Sequence, residues 1–380
     1  MRLSRTITIG GRANVSAVSI GGDLPIVIQT MWKNRLCFTD LEGASGEAIV
    51  SRIAALQDMG CGLLRFAVPD IDAAEVLGTL AGMVSMPLVA DIHFDYKIAL
   101  RCLDFPIAKI RLNPGNIGGK DKTAQVLEKA VATGVPIRIG LNAGSLPQDL
   151  RAQVDEKRLD RVEALVQAAE RELAIFRDSA FDKVVVSMKA SSVSDTIAAN
   201  RLLADRTDAP LHIGVTEAGP LIAGVVRNTV ALHTLLSTGI GDTIRVSLSD
   251  TMENEVIAGR EILATLSSNR VPRSGVTIIS CPRCGRNSFD THAFIERWKT
   301  ALYALDKPLT IAVMGCVVNG PVEARSADLG ITGVGGKVML FQRGELLRTI
   351  DAKDADEAWR EMLEQAGAKR ELGKMPAPIF

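Results

Sequence analysis

Neither sign of charge predominates in the 380 residues, where Lys plus Arg number 44 and Asp plus Glu number 44. A chain that grips nucleic acid or an anionic membrane surface by charge needs a basic excess, so neither partner is expected. No stretch approaches the ~18 consecutive apolar residues of a membrane span. Residues 1–22 hold Arg but no apolar core of the signal-peptide kind, so the expected compartment is the cytoplasm. Phosphate-loop signatures are missing as well: no GxGxxG or GxxxxGK[ST] opens a helix, which disfavours a doubly wound nucleotide-binding sheet. So is the tight CxxxCxxC of radical chemistry with S-adenosylmethionine. The six cysteines are unevenly spread. Cys37, Cys61 and Cys102 stand alone and read as packing residues, whereas Cys281, Cys284 and Cys316 cluster in the last third.

What is present is a repeat of apolar run, turn and helical pattern. The runs fall at 25–31, 62–68, 87–93, 108–114, 136–143, 183–190, 210–218 and 242–249, with helical patterns between them, for example at 41–59, 72–84 and 221–237, and after the last at 253–266. Strands alternating with helices make a parallel sheet, and eight units are the number that closes a barrel. Pro25, Pro87, Pro136 and Pro210 open four runs, a position where a strand tolerates the missing N–H. Residues 6–20 read as a hairpin plugging the barrel's bottom. The expected fold is α/β: a (β/α)8 TIM-type barrel over 1–266, followed by a smaller α/β domain over 267–380 behind the polar linker 267–273.

The strands are apolar mainly at their beginnings. Toward their C-terminal ends they carry Arg65; Asp91 and His93; Arg111 and Asn113; Arg138 and Asn142; Ser187 and Lys189; Glu217; Arg245 and Ser247. Spacings of two or four put each set on one strand face, and polar C-terminal strand ends are where barrels build active sites. A solvated rim explains any single member; it explains poorly the same pattern on strands two to eight. The set is cationic: Arg65, Arg111, Arg138, Lys189 and Arg245 against Asp91 and Glu217. Guanidinium forks with amide and hydroxyl donors suit phosphate oxygens, and a diphosphate suits so many cations better than a monophosphate. The two acids are the candidates for proton work, since a carboxyl beside a diphosphate should hold its proton more tightly.

In the last third, two apolar strands within 276–286 and 310–321 each end at a Cys corner, with helices expected at 290–305 and 355–365. Three readings of Cys281, Cys284 and Cys316 stand open. Structural zinc wants four Cys or His ligands, with only His292 nearby. A CxxC thiol pair leaves Cys316 unexplained. An iron–sulfur cluster with one weaker fourth ligand uses all three and leaves an iron open to substrate.

These residues, taken together, resemble a known family. Asp91-Ile-His93-Phe-Asp95, Arg111-Leu-Asn113-Pro-Gly115-Asn116, Arg138-Ile-Gly-Leu-Asn142, Thr216-Glu217-Ala-Gly219, Gly241-Asp-Thr-Ile-Arg245-Val-Ser247, Cys281-Pro-Arg-Cys284-Gly and Gly315-Cys316-Val-Val-Asn319-Gly-Pro321 are similar to the motifs of the 4-hydroxy-3-methylbut-2-enyl diphosphate synthases. The resemblance implies reductive ring opening and dehydration of 2-C-methyl-D-erythritol 2,4-cyclodiphosphate. It implies a 4Fe–4S cluster on Cys281, Cys284, Cys316 and Glu323, and two electrons from reduced flavodoxin or ferredoxin. It also implies a homodimer, a diphosphate held by Arg65, Arg111, Asn113, Arg138, Asn142, Lys189, Arg245 and Ser247, and Glu217 near the reacting carbons. Asp91 and His93 would touch the substrate hydroxyls or stand behind them. The chain departs from the family pattern at two places. The bulky, basic 31–38 segment ends the first strand, where it would alter the mouth, and Val322 stands where the family has Gly, where a positive φ would penalise it. The tail after Lys337 matches nothing. A paralogue acting on another phosphorylated substrate, an iron–sulfur sensor and a zinc lyase are the competing functions.

Overall fold

The computed structural model describes residues 2–113, 117–142, 146–267, 269–271, 275–305 and 307–368. The chain divides into two compact units, Met1–Pro272 and Arg273–Phe380. No helix among the described residues is long and apolar enough to cross a membrane.

In the first unit a hairpin, β1 (Ile7–Ile9) and β2 (Val18–Ile20), precedes eight parallel strands. These are β3 (Val27–Met31), β4 (Cys61–Ala67), β5 (Leu88–Asp91), β6 (Lys109–Leu112), β7 (Ile137–Asn142), β8 (Val184–Lys189), β9 (His212–Ile213) and β10 (Thr243–Ile244). All eight lie within or against the runs expected from sequence. They pair in the order β8-β7-β6-β5-β4-β3-β10-β9, and a parallel bridge from Val186 to Leu211 joins the two ends of that order. The sheet is therefore a closed barrel. Helices α1 (Gly43–Asp58), α2 (Ile71–Met83), α3 (Tyr96–Asp104), α4 (Lys120–Thr133), α5 (Gln148–Asp155), α6 (Arg161–Asp178), α7 (Val193–Ala204), α8 (Leu221–Leu236) and α9 (Met252–Ala264) connect the strands and follow the last. Outward-facing strand residues such as Leu64, Ile110 and Val186 are fully buried. Ile7, Ile9, Val15 and Ile20 of the hairpin region form one apolar cluster with Leu63, Val89, Ala108 and Val185, from the starts of barrel strands. The hairpin thus closes the end opposite the strands' C-termini, as expected. Cys61 and Cys102 are buried, and burial pushes both thiols up to about 12. Cys37 is exposed, so the expectation that it packs in the core fails: it precedes a single short turn, Phe38–Leu41, outside the strand layer.

The second unit is a five-stranded sheet, β11 (Thr277–Ser280), β12 (Thr310–Met314), β13 (Leu329–Val334), β14 (Lys337–Gln342) and β15 (Glu345–Asp351), in sequential order. The first three strands are parallel and the last two antiparallel. Period-two alternation sorts its side chains to two faces. Ile311, Val313, Ile331 and Leu340 pack with Phe294 and Trp298 of α10 (Thr291–Tyr303) and with Trp359 of α12 (Ala355–Leu363). Ala312, Met314 and Phe341 pack on the other face with Ala324 of α11 (Gly320–Ser326) and with Cys281. The tail that matched nothing supplies β14, β15 and α12. Its hairpin turns on Arg343 and Gly344, both at positive φ (48° and 86°), the backbone that a two-residue turn of right-handed strands requires.

Candidate functional site

The polar strand ends gather at one end of the barrel. Arg111, from β6, lies at the middle of this set. Its Nη1 donates to Asp91 Oδ1 at 3.2 Å and to His93 Nε2 at 2.6 Å, and its Nη2 donates to the Gly140 carbonyl at 3.1 Å. Because a guanidinium only donates, His93 Nε2 is the unprotonated nitrogen. Gly140 on β7 makes this possible: a Cβ there would stand 2.3 Å from Arg111 Nε. Arg65 Nε lies 3.6 Å from Asp91 Oδ2, and its Nη2 donates to Met31 Sδ at 2.8 Å. Arg138 is 2% exposed, and among the described residues its Nε and Nη1 have no partner; neither does the buried Asn113 Oδ1. Lys189, also buried, places Nζ 3.2 Å from His212 Nε2. Asn142 is exposed at the end of β7, and Ser247 is half-buried just past β10. Glu217 is exposed on the loop after β9 and holds φ at 51°, a left-handed backbone that costs a non-glycine residue about 1 kcal/mol or more. Residues 114–116 and 143–145, next to these strand ends, lie outside the described residues.

The electrostatics of the mouth follow from crowding. Burial pushes Lys189 well below the usual lysine range, and Arg138 and Arg245 push the same way. Burial also pulls Arg65 down, to about 10, against the attraction of Asp91. Burial alone would raise Asp91; Arg65, Arg111 and Arg138 outweigh it and hold the carboxyl below its ordinary range. With guanidinium groups on two sides, Asp91 is the ionised counter-charge of the cations in the anion-free mouth. Burial likewise lowers His93, against the attraction of Asp91 and with the repulsion of Arg111, so that it stays neutral.

Four residues of this constellation were not singled out from sequence. Lys109, two residues before Arg111, is fully buried and donates to Gln29 Oε1 at 3.4 Å. His212, also fully buried, joins Lys189 to Thr243 Oγ1, which lies 2.8 Å from its Nδ1. Glu255, in the first turn of α9, is 1% exposed and bonds Thr30, Lys33, Arg245 and the Leu248 N–H. Lys33 belongs to the atypical segment after the first strand. That segment does not fill the mouth with its Trp: alternation sends Trp32 to the other side, where it is buried and stacks on Phe66 at 5.5 Å, while Lys33 turns to Glu255.

In the second unit, Cys281, Cys284 and Cys316 line one concave pocket of about 190 Å³ together with Arg286, Gly315 and Asn319. Cys281 follows β11, and Cys316 follows β12 by two residues. The Gly315 N–H donates to Cys281 Sγ at 3.2 Å, and a Cβ on Gly315 would stand 3.2 Å from that sulfur and 1.9 Å from Asn287 Oδ1. Among the described residues no three His, Cys, Asp or Glu side chains converge as the ligands of one metal ion. A single zinc needs all its ligands about 2.0–2.3 Å from one point, whereas a cubane binds each thiolate through a different iron. Three thiols around a shared pocket are a donor set that a cubane could take. Glu323 is half-buried in the first turn of α11 and is not among the residues lining that pocket. Val322 lies within α11 and is not among the residues with positive φ. The expected penalty against valine is absent, because a helical backbone accepts a β-branched side chain at little cost.

Residues 11–260 match the family described as GcpE TIM-barrel domain, and residues 277–365 match GcpE protein C-terminal domain. The 4-hydroxy-3-methylbut-2-en-1-yl diphosphate synthase (flavodoxin) of Treponema pallidum is 50% identical over 379 residues, covering 98% of this chain and 92% of that protein. The protein of the same name from Treponema denticola is 51% identical, covering 94% and 95%. Among solved structures, a dihydropteroate synthase of Xanthomonas albilineans aligns at 14% identity with a TM-score of 0.41, covering 65% of this chain and 93% of that one. On the extent of the family match and the identity to these relatives, the chain belongs to the GcpE family.

Proposed function

We propose that this chain is a 4-hydroxy-3-methylbut-2-enyl diphosphate synthase, taking 2-C-methyl-D-erythritol 2,4-cyclodiphosphate and opening its ring reductively with loss of water. The observation that carries the reading is the charge of the barrel mouth. Among the described residues Arg65, Lys109, Arg111, Arg138, Lys189 and Arg245 face only Asp91 and Glu255 as buried carboxylates of the mouth, and two Arg138 nitrogens have no partner. Buried charge of one sign is tolerable only with a counter-ion, and a cyclic diphosphate supplies two negative groups on one rigid frame. Arg65, Arg111, Arg138, Lys189 and Arg245 would hold it, with Asn113, Asn142 and Ser247 adding polar contacts. Glu217, exposed on the rim, would hand a proton to the departing oxygen, while Asp91 and His93 would orient Arg111 rather than move protons.

A 4Fe–4S cluster on Cys281, Cys284 and Cys316, with Glu323 as a displaceable fourth ligand, would supply the two electrons one at a time. The names of the relatives favour reduced flavodoxin as their source, and the cytoplasm is where the chain would meet it. A homodimer is the assembly this reading implies; the exposed apolar stripe Ile222, Val226 and Val230 on α8 is a surface that a second copy suits. The test is anaerobic turnover of the cyclic diphosphate with a chemical reductant, on protein whose cluster absorbance has been verified. The allylic diphosphate is the expected product. A loaded cluster without product would transfer the proposal to a different phosphorylated substrate.

A further inference from the structure

We propose that Glu255 is a positioning residue of the mouth, fixing Arg245 and Lys33 so that Arg245 offers its remaining guanidinium edge to the diphosphate. This rests on the diphosphate reading of the mouth given above. Both carboxylate oxygens are committed. Oε1 accepts from Lys33 Nζ at 2.5 Å, from the Leu248 N–H at 3.1 Å and from Arg245 Nη2 at 3.2 Å. Oε2 accepts from Thr30 Oγ1 at 2.6 Å and from Arg245 Nε at 3.4 Å. Arg245 is therefore held along its Nε–Nη2 side, leaving Nη1 for another acceptor.

The place in the fold explains the need. β3 and β10 pair only through Val27–Thr243 and Ile28–Ile244. Beyond that point Thr30 and Lys33 from one chain segment and Arg245 and Leu248 from the other meet on this one carboxylate. Glu253, also in the first turn of α9, faces outward and pairs with Arg52. The common role of a helix-start acid is thus met by Glu253, and Glu255 is turned to the barrel instead.

The two roles open to a buried carboxylate here predict opposite signs. A mere counter-charge weakens the field on an incoming anion, so removing it would tighten anion binding. A positioning carboxylate holds donors in place, so removing it would weaken binding although the mouth becomes more positive. The test is calorimetric binding of inorganic pyrophosphate to the full, cluster-loaded chain, its barrel fold checked by circular dichroism. Glu255→Gln keeps the size but turns an NH2 toward a set of donors. It is expected to weaken pyrophosphate about tenfold, the loss of roughly one charge-assisted hydrogen bond. In an Arg245→Ala background, itself weakened, the same change should add little.

If Arg245→Ala weakens binding and Glu255→Gln leaves it unchanged or tighter, the proposal for Glu255 is overturned and the diphosphate reading survives. If the unaltered protein does not bind pyrophosphate, the reading beneath it is overturned as well. Should Glu255→Gln not fold, Thr30→Val decides, since it removes one bond to the same carboxylate. It should weaken pyrophosphate about threefold, and an unchanged affinity would overturn the proposal.

Discussion

Asp91 sits between Arg65 and Arg111, and its 5% exposure leaves water little part in balancing them. Removing its charge would leave Arg65, Arg111 and Arg138 facing one another with no carboxylate between them. Breaking such a buried pair from one side costs about 3 kcal/mol or more. We therefore expect Asp91→Asn to lower the denaturant midpoint sharply, and added pyrophosphate to recover part of the loss by binding the folded state alone. A variant as stable as the parent would mean that Asp91 is not the counter-charge the distances imply. The same reasoning separates Asp91 from Glu217, which is exposed and carries the left-handed backbone. In the proposed reading, Asp91 balances the cations that hold the anion and Glu217 is the acid left for proton transfer.

At the scale of elements, β7 contributes as much by what it lacks as by what it carries. Gly140 opens the slot in which the Arg111 guanidinium lies. Gly140→Ala would press a methyl against a side chain already held by Asp91, His93 and the Gly140 carbonyl. Crowding of this kind costs about 1–3 kcal/mol, and we expect pyrophosphate affinity to fall with it. Undiminished affinity and stability would show that Arg111 can lie elsewhere.

The strands themselves were legible in the sequence, because opening prolines and apolar beginnings mark where each run starts and polar ends mark where it reaches the mouth. The residues behind the mouth were not. Glu255 looks like any acid at a helix start, and only the three-dimensional seam between β3 and β10 distinguishes it from Glu253. His212 lies between Leu211 and Ile213 and offers no local sign that both its nitrogens are used. The β14–β15 hairpin does carry a local signal, the Arg343-Gly344 pair between alternating residues. Val322 shows the reverse error: a family glycine suggested a special backbone, yet here the position is helical.

For the whole molecule, the buried cations set how stability follows pH. His212 is fully buried, and burial, then Lys189, Arg138 and Lys109, push it well below 6.5. An unfolded His binds its proton near pH 6.5, so below that pH the unfolded chain gains a proton that the folded chain refuses. Stability is thereby lost as pH falls, by up to about 1.4 kcal/mol per pH unit. Lys109 and Lys189 are likewise lowered from 10.5, first by burial and then by neighbouring cations. They act in the same direction, their contribution growing as pH rises toward the unfolded lysine value. Free of anions, the barrel should therefore gain unfolding free energy from about pH 5.5 to about pH 9, measured by denaturant titration, with the acidic part of the slope reduced in His212→Gln. A flat or falling profile would contradict this account of the interior.

The barrel's closure also bears on how the chain is made. β3 pairs with β4 on one side and with β10 on the other, so Val27 must wait for Thr243. During synthesis from the N-terminus, more than two hundred residues emerge while the first barrel strand keeps one edge bare. Such an edge is a template for pairing with other chains, and long-range parallel pairing forms slowly. The interval between translation of residue 31 and residue 244 is therefore the period in which the nascent chain is most open to aggregation, and the period in which a chaperone would matter most.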